Sequence, residues 1–111
     1  MNGNKNKKKG ENALKEKDIV KKILDYLATL SQCFAWKEHG GQYAQSGIPD
    51  IICCYKGKFV AFEVKTDTGK LSKLQEITLY RIQEAEGIAV KVTSLEEVKK
   101  ILDNVRREIN V

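Results

Sequence analysis

The sequence predicts an α/β domain of element order αβββαβα, a mixed sheet flanked by helices, on three observations. Short runs rich in β-branched and aromatic residues alternate with longer segments whose apolar residues recur at helical spacing. Two of those runs, residues 50–55 and 59–65, are joined by a tight connection containing Gly57 and read as a β-hairpin. A helical segment then links the second of them to a last strand, and a right-handed crossover makes those two strands parallel.

Each element has its own signal. Residues 1–12 carry four lysines and only Met1 as an apolar side chain, so a disordered basic arm is expected there, with the domain proper over 13–111. From 13 to 30, Val20, Ile23, Leu24, Leu27 and Leu30 form one stripe of an amphipathic helix. Residues 33–37 (Cys-Phe-Ala-Trp-Lys) suit a strand, and the Gly-rich stretch 39–47 suits a long loop. After the hairpin, Ser72 with Gln75 matches a capping box. Leu74, Thr78, Ile82 and Ala85 then form one face of a second helix, which Gly87 is expected to end. Residues 88–92 read as a strand, and Ser94 with Glu97 opens a last helix whose Leu95, Val98, Leu102 and Val105 face the core.

Composition narrows the function classes. The 111 residues fit one domain, and 41% hydrophobic with 32% charged residues is the balance of a globular protein in water. No run approaches the roughly 20 apolar residues of a membrane span, and no apolar core follows the basic N-terminus, so a cytoplasmic protein is expected. Three cysteines without zinc-ligand or disulfide spacing suit reducing conditions, and Cys53 and Cys54 fall on opposite faces of one strand. Twenty Lys and Arg against fifteen Asp and Glu give a net charge of +5, which favours a polyanionic partner such as nucleic acid.

Chemistry enters through the hairpin. Strand side chains alternate faces, so Val60, Phe62 and Val64 point one way while Ala61, Glu63 and Lys65 point the other. Antiparallel pairing returns Asp50, at the start of the first strand, alongside Glu63 and Lys65. The sole proline, Pro49, fixes the backbone just before Asp50. Two carboxylates beside an amine are what metal-assisted phosphodiester cleavage requires: hard oxygen ligands for Mg²⁺ and a cation to orient water or balance charge on the phosphorane. An Glu-x-Lys on a strand, taken alone, is usually a surface pair; the matched Pro-Asp opposite it distinguishes this one.

With Gly47-Ile48-Pro49-Asp50, then Glu63-Val64-Lys65, then Gly69-Lys70-Leu71-Ser72 with Gln75, and Glu16-Lys17-Asp18-Ile19 opening the first helix, the sequence resembles the VRR-NUC nucleases. These are a branch of the PD-(D/E)xK superfamily found in phages and DNA-repair enzymes, and the resemblance covers nearly the whole chain beyond the N-terminal arm. It implies a restriction-endonuclease-like fold and an Mg²⁺- or Mn²⁺-dependent endodeoxyribonuclease needing no organic cofactor and no membrane. By resemblance Asp50 and Glu63 are metal ligands, the Val64 carbonyl a further ligand, Lys65 the catalytic lysine and Gln75 an accessory residue. The first-helix acid falls on Glu16, with Glu11 and Asp18 as alternatives. Stand-alone members resemble Holliday-junction resolvases, which implies branched DNA as substrate, a homodimer and a bacterial or phage-infected cell. A non-catalytic nucleic-acid-binding module and a flap-directed or nonspecific nuclease are the alternatives.

Several other side chains admit a nucleic-acid role. Lys37, Lys56, Lys58, Lys70 and Lys73 suit generic phosphate contacts. Tyr43 in the loop suits stacking on an unpaired base as well as a structural role, whereas Trp36, in a strand, is expected in the core. His39 in a Gly-rich loop reads as solvated rather than catalytic.

Overall fold

A computed structural model describes residues 2–39 and 46–110, with side chains described from Lys15 onward. The elements are α1 (Asn2–Ala28), β1 (Cys33–Lys37), β2 (Ile51–Tyr55), β3 (Lys58–Val64), α2 (Lys73–Glu84), β4 (Ile88–Val92) and α3 (Leu95–Ile109), the order expected from the sequence. The four strands lie in sequence order, with β1–β2 and β2–β3 antiparallel and β3–β4 parallel. The mixed sheet and the crossover through α2 are therefore as expected. α1 starts at Asn2 rather than near residue 13, an extension through four Asn and two Gly that helix propensity does not favour. The arm expected over 1–12 falls where side chains lie outside the described residues. Among the described residues, no helix is long and apolar enough to cross a membrane.

Alternation along the strands divides the interior into two layers. Ile51, Cys53, Tyr55, Val60, Phe62, Val64 and Val92 pack with Val20, Ile23 and Leu27 of α1 and Val98, Leu102 and Val105 of α3. On the other face Ile52, Ala61 and Ala89 meet Leu79 of α2. β3 is central and buried on both faces, which is why its run from Val60 to Val64 contains a single charged residue. Cys53 is buried and Cys54 exposed, as the strand period requires.

Two details differ from expectation. α2 buries Leu79, while Leu74 and Ala85 are exposed, because the helix seats its narrowest apolar line on the small side chains Ala61 and Ala89. The same helix ends at Ala85 in a paired C-terminal motif: Glu86 N–H donates to Gln83 O and Gly87 N–H to Ile82 O. Glu86, with φ of 70°, takes the left-handed position expected of Gly87. Gly87 is needed instead for closeness, since a Cβ there would lie 2.8 Å from Ile82 Cγ2.

Trp36 also departs from expectation: it is 42% exposed, because β1 is an edge strand and no described helix covers the face on which Trp36 stands. The hairpin turn is a two-residue loop, Lys56-Gly57, with φ of 51° and 83°, the doubly positive geometry that matches strand twist.

Glycines 47 and 57 share a positive φ but not an environment. A Cβ at Gly47 would sit 2.7 Å from the Leu74 carbonyl oxygen and 2.9 Å from Thr78 Oγ1, whereas nothing lies within 4 Å at Gly57. Gly57→Ala should therefore destabilise by about 1 kcal/mol through backbone strain alone. Gly47→Ala should exceed it by about 2 kcal/mol or more, because α2 must move. Urea unfolding of the two variants beside the parent checks the difference.

Candidate active site

The hairpin register assembles the site. Ile51 pairs with Phe62, so one step further along the two strands sets Asp50 opposite Glu63. Buried Pro49 fixes the approach to that position. The Asp50 carboxylate is held in place by its own neighbour strand, Oδ2 accepting a hydrogen bond from Val64 N–H at 2.8 Å. Lys65 Nζ lies 4.0 Å from Glu63 Oε2. The three residues predicted to form the centre are thus together at the end of the hairpin farthest from its turn.

Glu63 is the one buried charged side chain among the described residues, at 2% exposure. Burial is the first cause that pushes its carboxyl up, to about 8. A hydrogen bond and like-charge repulsion from Asp50 add to that shift, Glu16 adds a little more, and Lys65 opposes it. One nearby ammonium does not offset that penalty, so the Glu63 carboxyl keeps its proton at neutral pH unless further positive charge arrives. That excess negative charge, in oxygen donors only, fits a hard divalent cation.

Among the described residues no group of three or more His, Cys, Asp and Glu converges closely enough to hold a metal by itself. Asp50 and Glu63 form a two-carboxylate set, which is the number Mg²⁺ ordinarily takes from protein, leaving the other positions to water and substrate phosphate. Val64, whose carbonyl is the third expected donor, directly follows Glu63 and is anchored through its N–H to Asp50.

The remaining predicted residues divide by position. Glu16, on α1, lines a cavity of roughly 340 Å³ with Lys17, Val20, Lys37 and Asp50, so one expected acid and one expected phosphate contact border the site directly. Gln75 is committed to the cap of α2: its Oε1 accepts from Ser72 N–H at 2.8 Å while Ser72 Oγ accepts from Gln75 N–H at 3.1 Å. Lys56 reaches back to Gln32 Oε1 at 2.9 Å, and Lys58 lines a groove on another part of the sheet. Lys70, Lys73, Asp18 and His39 are exposed, while Tyr43 lies outside the described residues, as does the side chain of Glu11.

Two charged residues beside the centre escaped sequence reasoning. Lys91 of β4 pairs in register with Glu63 and turns its Nζ to the Gly69 carbonyl oxygen, 3.3 Å away, which ties down the loop that follows Lys65. Glu38 continues β1, its N–H donating to Asp50 O at 2.8 Å, and its carboxylate accepts the Trp36 indole N–H at 3.0 Å. Neither had a readable signal, because parallel register and edge-strand extension are set by the packed sheet.

Comparison with solved structures follows this geometry. A structure described as a VRR_NUC domain superposes with a TM-score of 0.68 at 22% identity, covering 80% of this chain and 95% of that one. The chain has the VRR_NUC fold. No protein-family model and no curated protein matches the sequence. The likeness is one of architecture, at 22% sequence identity.

The raised Glu63 carboxyl makes stability depend on pH. Its value in the fold, about 8, lies above the ordinary 4.5, so the folded state binds the proton more tightly than the unfolded chain. The stabilisation is complete below pH 4.5 and is lost as pH rises through 8. In EDTA the melting temperature should fall across that window. Glu63→Gln, which cannot ionise, should flatten the fall and melt several degrees above the parent at pH 9, as read by differential scanning calorimetry.

Proposed function

We propose that this chain is an Mg²⁺- or Mn²⁺-dependent nuclease that hydrolyses DNA phosphodiester bonds. The single observation that carries the reading is the buried Glu63 carboxylate against Asp50, with Lys65 4.0 Å away, at one end of a sheet with the VRR_NUC fold. Structural ion pairs are seldom built this way, since two carboxylates facing one lysine in the interior are a standing electrostatic cost.

The residues act as follows. Asp50, Glu63 and the Val64 carbonyl hold the cation, which when bound polarises the scissile phosphate and lowers the pKa of a coordinated water. Asp50 arrives preoriented by the Val64 N–H, so no side-chain entropy remains to be lost there. Lys65 orients the attacking water and balances the charge that develops on the pentavalent phosphorane. Glu16 reaches the same region from α1 and serves through water, while Lys17 and Lys37 at the cavity mouth take the flanking phosphates. Gln75 caps α2 through Oε1, which leaves its amide nitrogen for an accessory contact.

Contacts of this kind read backbone and shape rather than base edges, which favours a structure-selective enzyme over a sequence-specific one. The proposed substrate is branched DNA such as a Holliday junction in a bacterial or phage-infected cell. One site per chain then calls for a two-fold homodimer to cut two strands symmetrically.

End-labelled four-way junction, flap, linear duplex and single-stranded DNA, incubated with the parent protein and Mg²⁺, Mn²⁺ or EDTA, test the reading. Cleavage should require the metal, fall at least about 100-fold in Asp50→Asn and Lys65→Ala, and place paired nicks on the junction. Asp50→Asn cleaving as fast as the parent contradicts the assignment, and DNA binding in EDTA with no cleavage in metal leaves a binding module.

A further inference from the structure

Two adjacent residues of β4 hold Lys65 from different sides. The Val92 carbonyl oxygen accepts the Lys65 N–H at 3.0 Å, which fixes the main chain at the end of β3. Lys91, in register with Glu63, sends its Nζ to the Gly69 carbonyl oxygen, 3.3 Å away.

The strap formed by residues 66–71 has few ties of its own. Gly69 N–H donates to Thr66 O at 2.9 Å, closing one turn, and Leu71 is half-buried against Ile52, Ala61, Leu79 and Ala89. Ser72 then enters the cap of α2. Among the described residues, Lys91 is the one side chain that hydrogen-bonds the strap from another element.

That strap bears on Lys65 itself. A Cβ at Gly69 would stand 3.2 Å from Lys65 Cβ and 3.3 Å from both N and O of Thr66, so the Gly69 backbone lies against the root of the lysine side chain. Further out the side chain is 18% exposed, and its Nζ stands 4.0 Å from Glu63 Oε2. A lysine stem left free samples many rotamers, and a displacement of about 1 Å at a reacting group costs up to about 100-fold in rate.

We infer that Lys91 is a positioning residue of the active site: by holding the Gly69 carbonyl it keeps the 66–71 strap against the stem of Lys65, and so keeps the Lys65 ammonium beside Glu63. The inference deepens the nuclease reading and rests on it for the effect on rate, whereas the effect on Lys65 is present without substrate. β4 serves as the common frame, since it sets both the main chain of Lys65 and the strap laid on its side chain. Losing the Lys91 ammonium leaves the turn at Thr66 and the Leu71 contact in place, so the strap loosens at its middle rather than detaching.

Acetylation of the lysines by an N-hydroxysuccinimide ester, read residue by residue by mass spectrometry, reports on Lys65 without DNA or metal. It would be run on the parent, Lys91→Met, Lys91→Arg and Lys100→Met, beside steady-state cleavage of DNA in Mg²⁺ over a salt series. Met keeps a long stem and loses the ammonium, Arg keeps a donor, and Lys100 is an exposed lysine of α3. Far-UV circular dichroism and the urea midpoint verify that each variant is folded. In Lys91→Met, Lys65 should acetylate at least about threefold faster, and kcat should fall about tenfold with KM and its salt dependence unchanged. Lys91→Arg should restore both, and Lys100→Met should alter neither. Acetylation of Lys65 at the parental rate in Lys91→Met overturns the inference. A parental kcat with a raised KM of shallower salt dependence also overturns it, and makes Lys91 a phosphate contact. Faster acetylation of Lys65 in Lys91→Met, where the parent itself cleaves no DNA, upholds the placement of Lys65 and overturns the nuclease reading instead.

Discussion

A carboxylate in the interior of the central strand is the constraint around which this small fold is arranged. Glu63 sits where burial penalises its charge, next to Asp50 rather than to an equal number of cations. Everything that holds it there is backbone geometry. The hairpin register fixes Asp50 opposite it, the Val64 N–H fixes the Asp50 carboxylate, and Lys65 N–H closes the end of the strand onto Val92 O at 3.0 Å. A core of valine, isoleucine and leucine on the other side of β3 supplies the stability that such a site subtracts.

The same layering gives one face two helices and, among the described residues, the other face one. α1 and α3 together close the face formed by Val60, Phe62 and Val64, and Arg106 of α3 reaches across to donate to Tyr55 Oη at 2.7 Å. Among the described residues the helix on the opposite face is α2, held by Leu79 above Ala61 and Ala89 and by the Gln83 amide donating to Ala89 O at 2.7 Å. One helix cannot cover four strands. On that face the row of Glu38, Asp50 and Glu63 lies directly beside the row of Trp36, Ile52 and Ala61, with the Trp36 indole N–H donating to the Glu38 carboxylate.

Much of this was legible in the sequence because its cause is local. Period-two alternation separated Val60, Phe62 and Val64 from Glu63, a short turn at Gly57 fixed the hairpin, and antiparallel geometry then brought Asp50 to Glu63. Ser72 and Gln75 announced their helix for the same reason, since both hydrogen bonds of the cap lie within three residues. What misled was coverage, which no single segment encodes. Trp36 has the composition of a core residue and is 42% exposed because β1 is an edge strand that no described helix covers on that face. Leu74 and Ala85 form a true apolar stripe with Thr78 and Ile82, yet the helix rotates to bury Leu79 because its partners on the sheet are alanines. Lys91 beside Glu63 depends on the parallel register of a strand 28 residues away, which propensity does not carry.

The most direct test of the central claim is a titration of the protein with Mn²⁺ at pH 7.5, followed by electron paramagnetic resonance of the free ion, without DNA. If Asp50 and Glu63 form a cation site with Lys65 serving the substrate, the parent and Lys65→Ala bind Mn²⁺ comparably. Asp50→Asn and Glu63→Gln then bind it at least about tenfold more weakly. Equal Mn²⁺ affinity in all four proteins would contradict the account and return Glu63 to a purely structural role.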